Sequence, residues 1–240
     1  MPELVDKIAL VTGASSGIGQ ATAVALARAG AWIAATGRDA ARLQPFTDFA
    51  NSQGGHVQSY AADLSSEAGC NALADWALDT YGGIDVLVHA AGMASRGASA
   101  DTDRATFDAM LRINVLAAGQ LVQRLAPSLI ARGGQIAFIN SRAGLRVFPQ
   151  FGAYCASKFA LKAYADTLRE ELRPKGVRVV SVFPGKVDTP MQRQLNEQGG
   201  LPHEPERYLR AEDVARATVD ALLLPRGVEI PDVLIQPARE

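Results

Sequence analysis

A tyrosine and a lysine four residues apart could carry out acid–base chemistry together. Tyr154 and Lys158 belong to the stretch YCASK, inside a longer run whose apolar residues recur with helical spacing. Four residues along a helix is a rise of about 6 Å on one face, where an ammonium favours a neighbouring phenolate by about 3 kcal/mol. This would lower the phenol pKa by roughly two units, towards the range that a general acid/base for an alcohol or carbonyl oxygen requires. Taken alone, such a pair is usually a chance feature of a helix surface, so the hypothesis depends on its surroundings.

A glycine-rich turn near the amino terminus is typical of dinucleotide binding. Gly13, Gly17 and Gly19 follow the apolar run KIALV and lead directly into a helical pattern. Glycines let the backbone approach a pyrophosphate, whose charge is stabilised by free N–H groups and by the positive end of the helix dipole. The alternative is an ordinary tight turn, and the position of the glycines between a strand and a helix favours the binding site.

The residues after the second predicted strand bear on the choice between NADP(H) and NAD(H). A carboxylate at the end of that strand would hold a free ribose 2′-hydroxyl and repel a 2′-phosphate. The sequence has Gly37 there, followed by Arg38, whose guanidinium can bind a phosphate through two hydrogen bonds. We therefore expect NADP(H), with NAD(H) as the less favoured cofactor. Asp39 is the residue that could permit NAD(H), although it directly precedes a helix and is a good N-cap.

Short apolar runs alternate with helical stretches along the whole chain, which is typical of repeated βαβ units. Several runs are almost entirely apolar, as expected for strands covered on both faces. The predicted fold class is α/β, a single Rossmann-type doubly wound domain over 1–240 with a seven-stranded parallel sheet flanked by helices on both faces. The predicted strands are 7–11, 31–36, 56–61, 84–89, 135–140, 177–183 and 232–236, and the predicted helices are 17–29, 40–53, 65–80, 103–131, 153–173 and 211–223.

The segment 187–210 interrupts this alternation. It reads VDTPMQRQLNEQGGLPHEPERYLR, which is polar and contains both Gly and Pro. We predict a long loop inserted between the sixth strand and the last helix, and a loop of this length in a compact domain usually binds or covers a substrate. Ser65 and Thr102 are the predicted N-caps of the third and fourth helices.

Composition argues against several other classes of protein. The chain has 240 residues, is 48% hydrophobic and 20% charged, and carries a formal net charge of −1. It therefore lacks the basic surplus that nucleic acids or anionic membranes attract, and neither is an expected partner. Glu3 and Asp6 stand where a secretory signal would be basic, so we expect a cytoplasmic protein without a membrane span. Cys70 and Cys155 lack CxxC spacing, which argues against a disulfide framework and a zinc site.

Six motifs follow one another in a characteristic order and spacing: TGASSGIG (12–19), AAG (90–92), INVLAAG (113–119), INSRAG (139–144), YCASK (154–158) and PGKVDTP (184–190). Together they resemble the short-chain dehydrogenase/reductase family over essentially the whole chain. The resemblance implies an oxidoreductase that transfers a hydride between NADP(H) and the carbonyl or secondary alcohol of a small molecule. It also implies a homotetramer or homodimer built through the helices 103–131 and 153–173.

The resemblance implies a role for each of four catalytic residues. Tyr154 matches the family's acid/base, and Lys158 matches the lysine that binds the nicotinamide ribose and lowers the phenol pKa. Ser141, thirteen residues before Tyr154, matches the serine that orients and polarises the substrate oxygen. Asn114 matches the asparagine that supports the lysine through a water and extends the proton relay.

The same resemblance implies which residues hold the cofactor. The glycine turn would hold the pyrophosphate, Asp63 would lie beside the adenine, and 184–189 would line the nicotinamide. No metal ligand is implied. The expected cofactor-binding residues are Gly13, Ser15, Ser16, Gly17, Ile18, Gly19, Arg38, Asp63, Leu64, Ala90, Ala91, Gly92, Tyr154, Lys158, Pro184, Gly185, Val187 and Thr189.

The chain departs from the family's pattern after the fourth strand. The family usually has NNAG there, and this chain has His89, Ala90, Ala91 and Gly92. Ala90 cannot make the hydrogen bonds that the asparagine makes to neighbouring strands, so we expect weaker local support of the sheet. His89 ends an apolar strand, and we interpret it as a packed, hydrogen-bonded histidine rather than a catalytic one.

Three loops are expected to wall the substrate pocket: 93–99, 142–151 and 187–210. Their cations, set around apolar residues, would suit a carboxylate-bearing substrate such as a hydroxy acid. The alternative is that most of these arginines face water. The residues concerned are Arg96, Arg142, Arg146, Phe148, Phe151, Lys186, Met191 and Arg193.

There are three alternatives to an NADP(H)-dependent oxidoreductase. A catalytically idle NAD(P)-binding regulatory or scaffold protein would be expected to lack Ser141, Tyr154 or Lys158, and all three are present. An NAD-preferring alcohol dehydrogenase is the second. An epimerase or dehydratase of the family's extended relatives would need a larger carboxyl-terminal domain than the residues after 190 provide.

Overall fold

Seven parallel strands form one sheet in the computed structural model, which describes residues 4–238. All five positions of the first strand are buried, because helices cover both faces of the sheet. The predicted parallel α/β fold is confirmed, and each predicted strand lies within two residues of an observed one. The strands are β1 (Ile8–Thr12), β2 (Trp32–Gly37), β3 (His56–Ala61), β4 (Val86–His89), β5 (Gln135–Ile139), β6 (Arg178–Pro184) and β7 (Asp232–Ile235).

The strand order, β3-β2-β1-β4-β5-β6-β7, reverses its direction between β1 and β4. Thr12, the last residue of β1, is level with Thr36 of β2 on one side and His89 of β4 on the other. The carboxyl ends of these strands therefore meet at one edge. In open α/β sheets a ligand crevice forms at this reversal.

Helices cover the two faces as separate layers. Leu26, Leu43 and Val214, from three different helices, pack with alternate strand residues on one face. Leu73, Leu125 and Leu161 do the same on the other face. The helices are α1 (Gly17–Arg28), α2 (Ala40–Ser52), α3 (Glu67–Tyr81), α4 (Arg104–Leu111), α5 (Ala117–Arg132), α6 (Gly152–Leu172), α7 (Pro190–Gln198) and α8 (Ala211–Leu222).

A buried carboxylate connects two strands at the edge of the sheet opposite the crevice. Asp85, just before β4, accepts a hydrogen bond from the Ile8 main-chain N–H at 3.1 Å. It also forms ion pairs with Lys7 at 3.0 Å and Arg132 at 3.1 Å. These contacts join the starts of β1 and β4 on the side away from the crevice.

The predicted helix over 103–131 is two helices joined by a π-helical turn, Arg112–Leu116. The predicted N-caps of the third and fourth helices are also wrong by one residue. Ser66 accepts from the Gly69 N–H at 3.1 Å, and Asp103 accepts from the Thr106 N–H at 2.6 Å. In both cases the residue that caps is the one whose side-chain oxygen reaches the third amide of the helix.

The insertion 187–210, predicted as a loop, contains α7. Thr189 caps this helix by accepting from the Gln192 N–H at 3.3 Å, and Pro190 occupies its first turn. Thr followed by Pro is a helix-start signal that the sequence contained, because proline lacks the N–H that a first turn leaves unpaired. Within residues 4–238, no helix combines the length and the apolar character that crossing a membrane requires.

Candidate active site

A cavity of about 210 Å³ opens at the carboxyl edge of the sheet. Ser141, directly after β5, and Tyr154 and Lys158, in the first two turns of α6, contribute to its wall. Seven of the residues expected to bind the cofactor also line it: Ile18, Ala90, Gly92, Pro184, Gly185, Val187 and Thr189.

Lys158 lies beside the Tyr154 ring, as the helical spacing predicts. Its Nζ is 5.9 Å from the centre of that ring, and it donates a hydrogen bond to the Ile139 carbonyl at 3.0 Å. Burial of the side chain lowers the pKa of Lys158 to about 8. The ammonium form therefore prevails below about pH 8.

The pKa of Tyr154 does not move in the predicted direction. Burial raises the pKa of this phenol above its usual value, and a hydrogen bond from the Ser141 side chain acts against that rise. The expected lowering by Lys158 is therefore wrong for this structure, because the cost of burying a phenolate outweighs the favourable contacts. The Tyr154 phenol is therefore protonated at neutral pH.

Asn114 lies in the π-helical turn, fully buried, and its side chain joins two elements. Its Nδ2 donates to the Met93 carbonyl and to the Ser157 hydroxyl, both at 2.9 Å, and its Oδ1 accepts from the Met93 N–H at 2.9 Å. The amide thus fastens the loop after β4 to α6.

The glycine turn is built by close backbone packing. Gly13 has a φ of +69°, and a Cβ on it would lie 2.9 Å from both the Ala90 oxygen and the Ala91 nitrogen. A Cβ on Gly19 would collide with the Gly13 carbonyl. Ser16 is the N-cap of α1, and among the described residues no side chain caps this helix. The first amides of α1 are thus available to an anion, so the turn fits a pyrophosphate.

Thr12 supplies the support that the chain was expected to lack at His89-Ala90-Ala91-Gly92. Its Oγ1 accepts from the N–H groups of Ala90 at 3.1 Å and Ala91 at 3.0 Å. The Thr12 hydroxyl also lies 3.2 Å from Nδ1 of His89, within hydrogen-bonding distance. Burial, together with the charge of Lys158, lowers the pKa of His89 to about 4. His89 is thus neutral and packed, as predicted.

The region expected to hold the adenosine ribose is shaped by Gly37. A Cβ on Gly37 would lie 2.9 Å from both Cβ and Oγ of Ser15, so the Gly37 backbone packs closely against the Ser15 side chain. Arg38 follows with its side chain exposed. The Asp39 carboxylate accepts from the first-turn amide of Ala41 at 2.9 Å, which is the predicted N-cap role. Arg38 is thus an exposed cation directly after β2, whereas Asp39 is engaged in capping α2.

Asp63 and Leu64 follow β3 beside this region. Hydrogen bonds from the main chain and side chain of Ser65 lower the pKa of the exposed Asp63, and the charge of Arg38 lowers it further. Leu64 is buried beneath it. Asp63 therefore lies near Arg38, where the resemblance expects the adenine.

The substrate side of the cavity differs from the expected cationic wall. Of the eight residues expected there, Arg142, Phe148, Phe151, Lys186 and Met191 line the cavity. Three arginines point elsewhere: Arg96 to Gln150, Arg146 to the face of Phe148, and Arg193 to Asp188. Met93, Ala143, Gln192 and Leu195 also line the cavity; they lie within the three segments expected to wall it but were not named individually, and the last two belong to the unpredicted α7.

Neither cysteine is near another, and both Cys70 and Cys155 are free and buried. Burial raises the pKa of Cys70 to about 11, so its thiol is unreactive at neutral pH. Between residues 4 and 238, no group of three His, Cys, Asp or Glu side chains is placed to hold a metal ion.

Comparisons with known proteins agree with this geometry. The family model for short chain dehydrogenases matches residues 7–200. An uncharacterized oxidoreductase of Staphylococcus saprophyticus is 33% identical over 239 residues, which cover 99% of this chain and all of that protein. An alcohol dehydrogenase of the archaeon Thermococcus sibiricus, complexed with 5-hydroxy-NADP, superposes with a TM-score of 0.89 at 29% identity, covering 98% of this chain and 97% of that one. A metagenomic short-chain oxidoreductase in complex with NADP gives a TM-score of 0.85 at 31% identity over 99% of both chains. The chain therefore belongs to the short-chain dehydrogenase family of oxidoreductases.

Proposed function

We propose that the protein is an NADP(H)-dependent oxidoreductase acting on the carbonyl or secondary alcohol of a small molecule, with Tyr154 as its general acid/base. The observation that carries this proposal is that Ser141, Tyr154 and Lys158 line one cavity beside the glycine turn. The archaeal neighbour is named an alcohol dehydrogenase, which supports the same reaction class.

The residues present fit a bound dinucleotide. The free amides at the start of α1 would hold the pyrophosphate, and Arg38 would hold the 2′-phosphate. Lys158 would donate to the nicotinamide ribose, and the segment 184–189 would line the ring. When bound, NADP(H) supplies or accepts the hydride at the substrate carbon.

The side chains of this protein would manage the substrate oxygen and its proton. Ser141 donates a hydrogen bond that polarises a carbonyl and fixes its orientation. Tyr154, protonated at neutral pH because burial raises its pKa, gives its proton to that oxygen as the alcohol forms. The Lys158 ammonium favours the phenolate that remains. Oxidation of an alcohol runs through the same groups in reverse.

Tyr154→Phe tests the acid/base role. The phenyl ring keeps the packing of the cavity wall but has no proton to transfer, so we expect turnover to fall by about 10³-fold or more while NADPH affinity stays within about threefold. The measurement is nicotinamide absorbance with a panel of ketones, aldehydes, hydroxy acids and sugar alcohols, beside an NADPH fluorescence titration. Turnover equal to that of the wild type would refute the role.

Arg38→Ala tests the cofactor preference. Removing the guanidinium deletes a charge-assisted contact that only the 2′-phosphate can make, so NADPH binding should weaken by about tenfold or more and NADH binding should hardly change. Arg42→Ala, a second exposed arginine four residues along the chain, is the comparison for a general loss of positive charge. Equal losses for both cofactors in Arg38→Ala would mean that the phosphate is held elsewhere.

A further inference from the structure

Arg96 joins three segments that are distant in the sequence and surround the mouth of the cavity. Its main-chain N–H donates to Oε1 of Gln198, at the end of α7, at 2.9 Å. Its Nε donates to Oε1 of Gln150, in the loop after β5, at 2.7 Å. The neighbouring Gly97 N–H donates to the Gln150 carbonyl at 2.9 Å. Arg96, in the loop after β4, therefore contacts both the loop after β5 and the end of α7.

The Arg96 guanidinium also supports the wall beside the reacting groups. It lies 5.8 Å from the centre of the Phe151 ring, which lines the cavity and is itself 6.4 Å from the Tyr154 ring, edge to face. On its other side it packs against the backbone of Gly199, where a Cβ would collide with it. Arg96 is thus placed between the aromatic wall and the end of α7.

Most of the insertion 187–210 is held by contacts within itself, whereas the end of α7 is held by Arg96. Asn196, buried near the end of α7, donates to the Tyr208 hydroxyl at 2.9 Å and to the Pro202 carbonyl at 3.0 Å, and His203 lies 3.0 Å from the Asp188 carboxylate. These contacts stay within the insertion. The contacts of Gln198 and Gly199 with Arg96 instead connect it to the rest of the protein at an exposed position, where hydrogen bonds are weak enough to open and close.

Gln150 carries backbone strain at the same place. Its φ is +68°, in the left-handed region that a non-glycine residue adopts at a cost. Such a conformation persists where neighbouring groups hold it, and here Arg96 and Gly97 bind its side chain and its carbonyl. Strained residues of this kind concentrate at functional sites.

We propose that Arg96 is a positioning residue for the substrate side of the active site, which holds α7 against the cavity mouth and Phe151 beside Tyr154. It acts through these groups and touches no reacting atom. The proposal rests on the proposed function, because the cavity is taken to receive the substrate. Replacing Arg96 should therefore weaken substrate binding and leave cofactor binding unchanged.

Hydrogen exchange in Arg96→Ala and Arg104→Ala separates this role from a general loss of charge. Arg104 is an exposed arginine of α4 that pairs with Asp108 at 3.5 Å, away from the three loops. We expect amides of 190–201 to exchange about tenfold faster in Arg96→Ala and at the wild-type rate in Arg104→Ala. On the substrate identified with the panel, KM should rise about tenfold with NADPH affinity unchanged. Wild-type exchange over 190–201 in Arg96→Ala would overturn the proposal.

Gln198 provides an independent pair of variants if Arg96→Ala does not fold. Gln198→Ala removes the acceptor for the Arg96 N–H and should also speed exchange over 190–201, whereas Gln198→Glu keeps an acceptor oxygen and should restore protection. Equal exchange in these two variants would contradict the contact. Faster exchange in a protein that turns over no compound of the panel would contradict the proposed function and still show that Arg96 holds α7 in place.

Discussion

The close approach of Gly37 and Ser15 restricts which side chains can occupy position 37, the last residue of β2. A carboxylate at position 37 would be the usual means of holding a free ribose hydroxyl. Here any Cβ at position 37 would lie 2.9 Å from two atoms of Ser15. At this separation either Ser15 or the backbone at position 37 must move. We infer that the proposed preference for NADP(H) would depend on this steric contact as well as on the charge of Arg38.

The single substitution Gly37→Asp should therefore not change the cofactor preference from NADP(H) to NAD(H). We expect it to weaken NADPH binding by about tenfold or more, through repulsion and displacement of the glycine turn, with little gain for NADH. Gly37→Asp combined with Ser15→Gly removes the obstruction and should bind NADH more tightly than the single variant does. Both affinities are measured by fluorescence titration.

Gly227→Asp is the matched control for the added charge, because a Cβ on Gly227 meets no atom within 4 Å and its φ lies outside the left-handed region. It should bind both cofactors as the wild type does. Tight NADH binding by Gly37→Asp alone would contradict the steric role of Ser15.

The junction between β1 and β4 depends on one hydroxyl. Thr12 is fully buried and accepts from two main-chain N–H groups of the segment after β4. A buried N–H without a partner costs about 1–3 kcal/mol, so Thr12→Val, which keeps the shape of the side chain, should lower the free energy of unfolding by about 2–4 kcal/mol. Thr12→Ser keeps the acceptor and should recover most of this loss. Urea denaturation gives the measurement.

Thr22→Val is the corresponding control in α1. The Thr22 hydroxyl is also in the buried part of the protein, but it donates to the Ile18 carbonyl of its own helix at 2.7 Å. Its removal leaves no N–H without a partner, so the loss should stay below about 1 kcal/mol. Equal losses in Thr12→Val and Thr22→Val would show that the two N–H groups find other partners.

Elements set by local periodicity were predictable from the sequence, and elements set by distant contacts were not. The apolar runs located every strand within two residues, because a strand buried on both faces has little freedom in composition. The π-helical turn has no such pattern, since Asn114 is held there by Met93 and Ser157 from other parts of the chain. α7 was missed although Thr189 and Pro190 mark its start, because its polar composition suggested a loop.

The same distinction applies to the candidate site. The spacing of Tyr154 and Lys158 predicted their proximity, which results from helix geometry alone. The direction of the Tyr154 pKa shift depends on how much of the fold surrounds the phenol, and sequence gives no measure of that burial. The support of Ala90 by Thr12 likewise needed the alignment of β1 with β4.

The surface of the whole protein carries large apolar side chains where the family resemblance expects subunit contacts. Leu116, in the π-helical turn, is 55% exposed, and Phe159, on α6, is 41% exposed. Burying such side chains between copies of the chain would remove them from water at roughly 25 cal/mol per Å². We therefore expect an oligomer built through these helices.

Leu116→Glu combined with Phe159→Glu should dissociate that oligomer into monomers, because two carboxylates per subunit would have to be buried at the interface. Light scattering coupled to size exclusion measures the mass. Phe49→Glu alters a side chain of α2 that is 54% exposed and should leave the mass unchanged. A monomeric wild-type protein would contradict the expected assembly.

The π-helical turn Arg112–Leu116 limits which insertions and deletions this chain can tolerate. Such a turn contains an extra residue compared with a regular α-helix, in which each residue advances the rotation by about 100°. Losing one residue between Met110 and Ala117 would let this segment close as a regular α-helical turn, because the wider π turn accommodates the extra residue, and would change the positions of the remaining residues around the helix axis. Asn114 would then leave both Met93 and Ser157, so the number of residues in this segment matters as much as their identity.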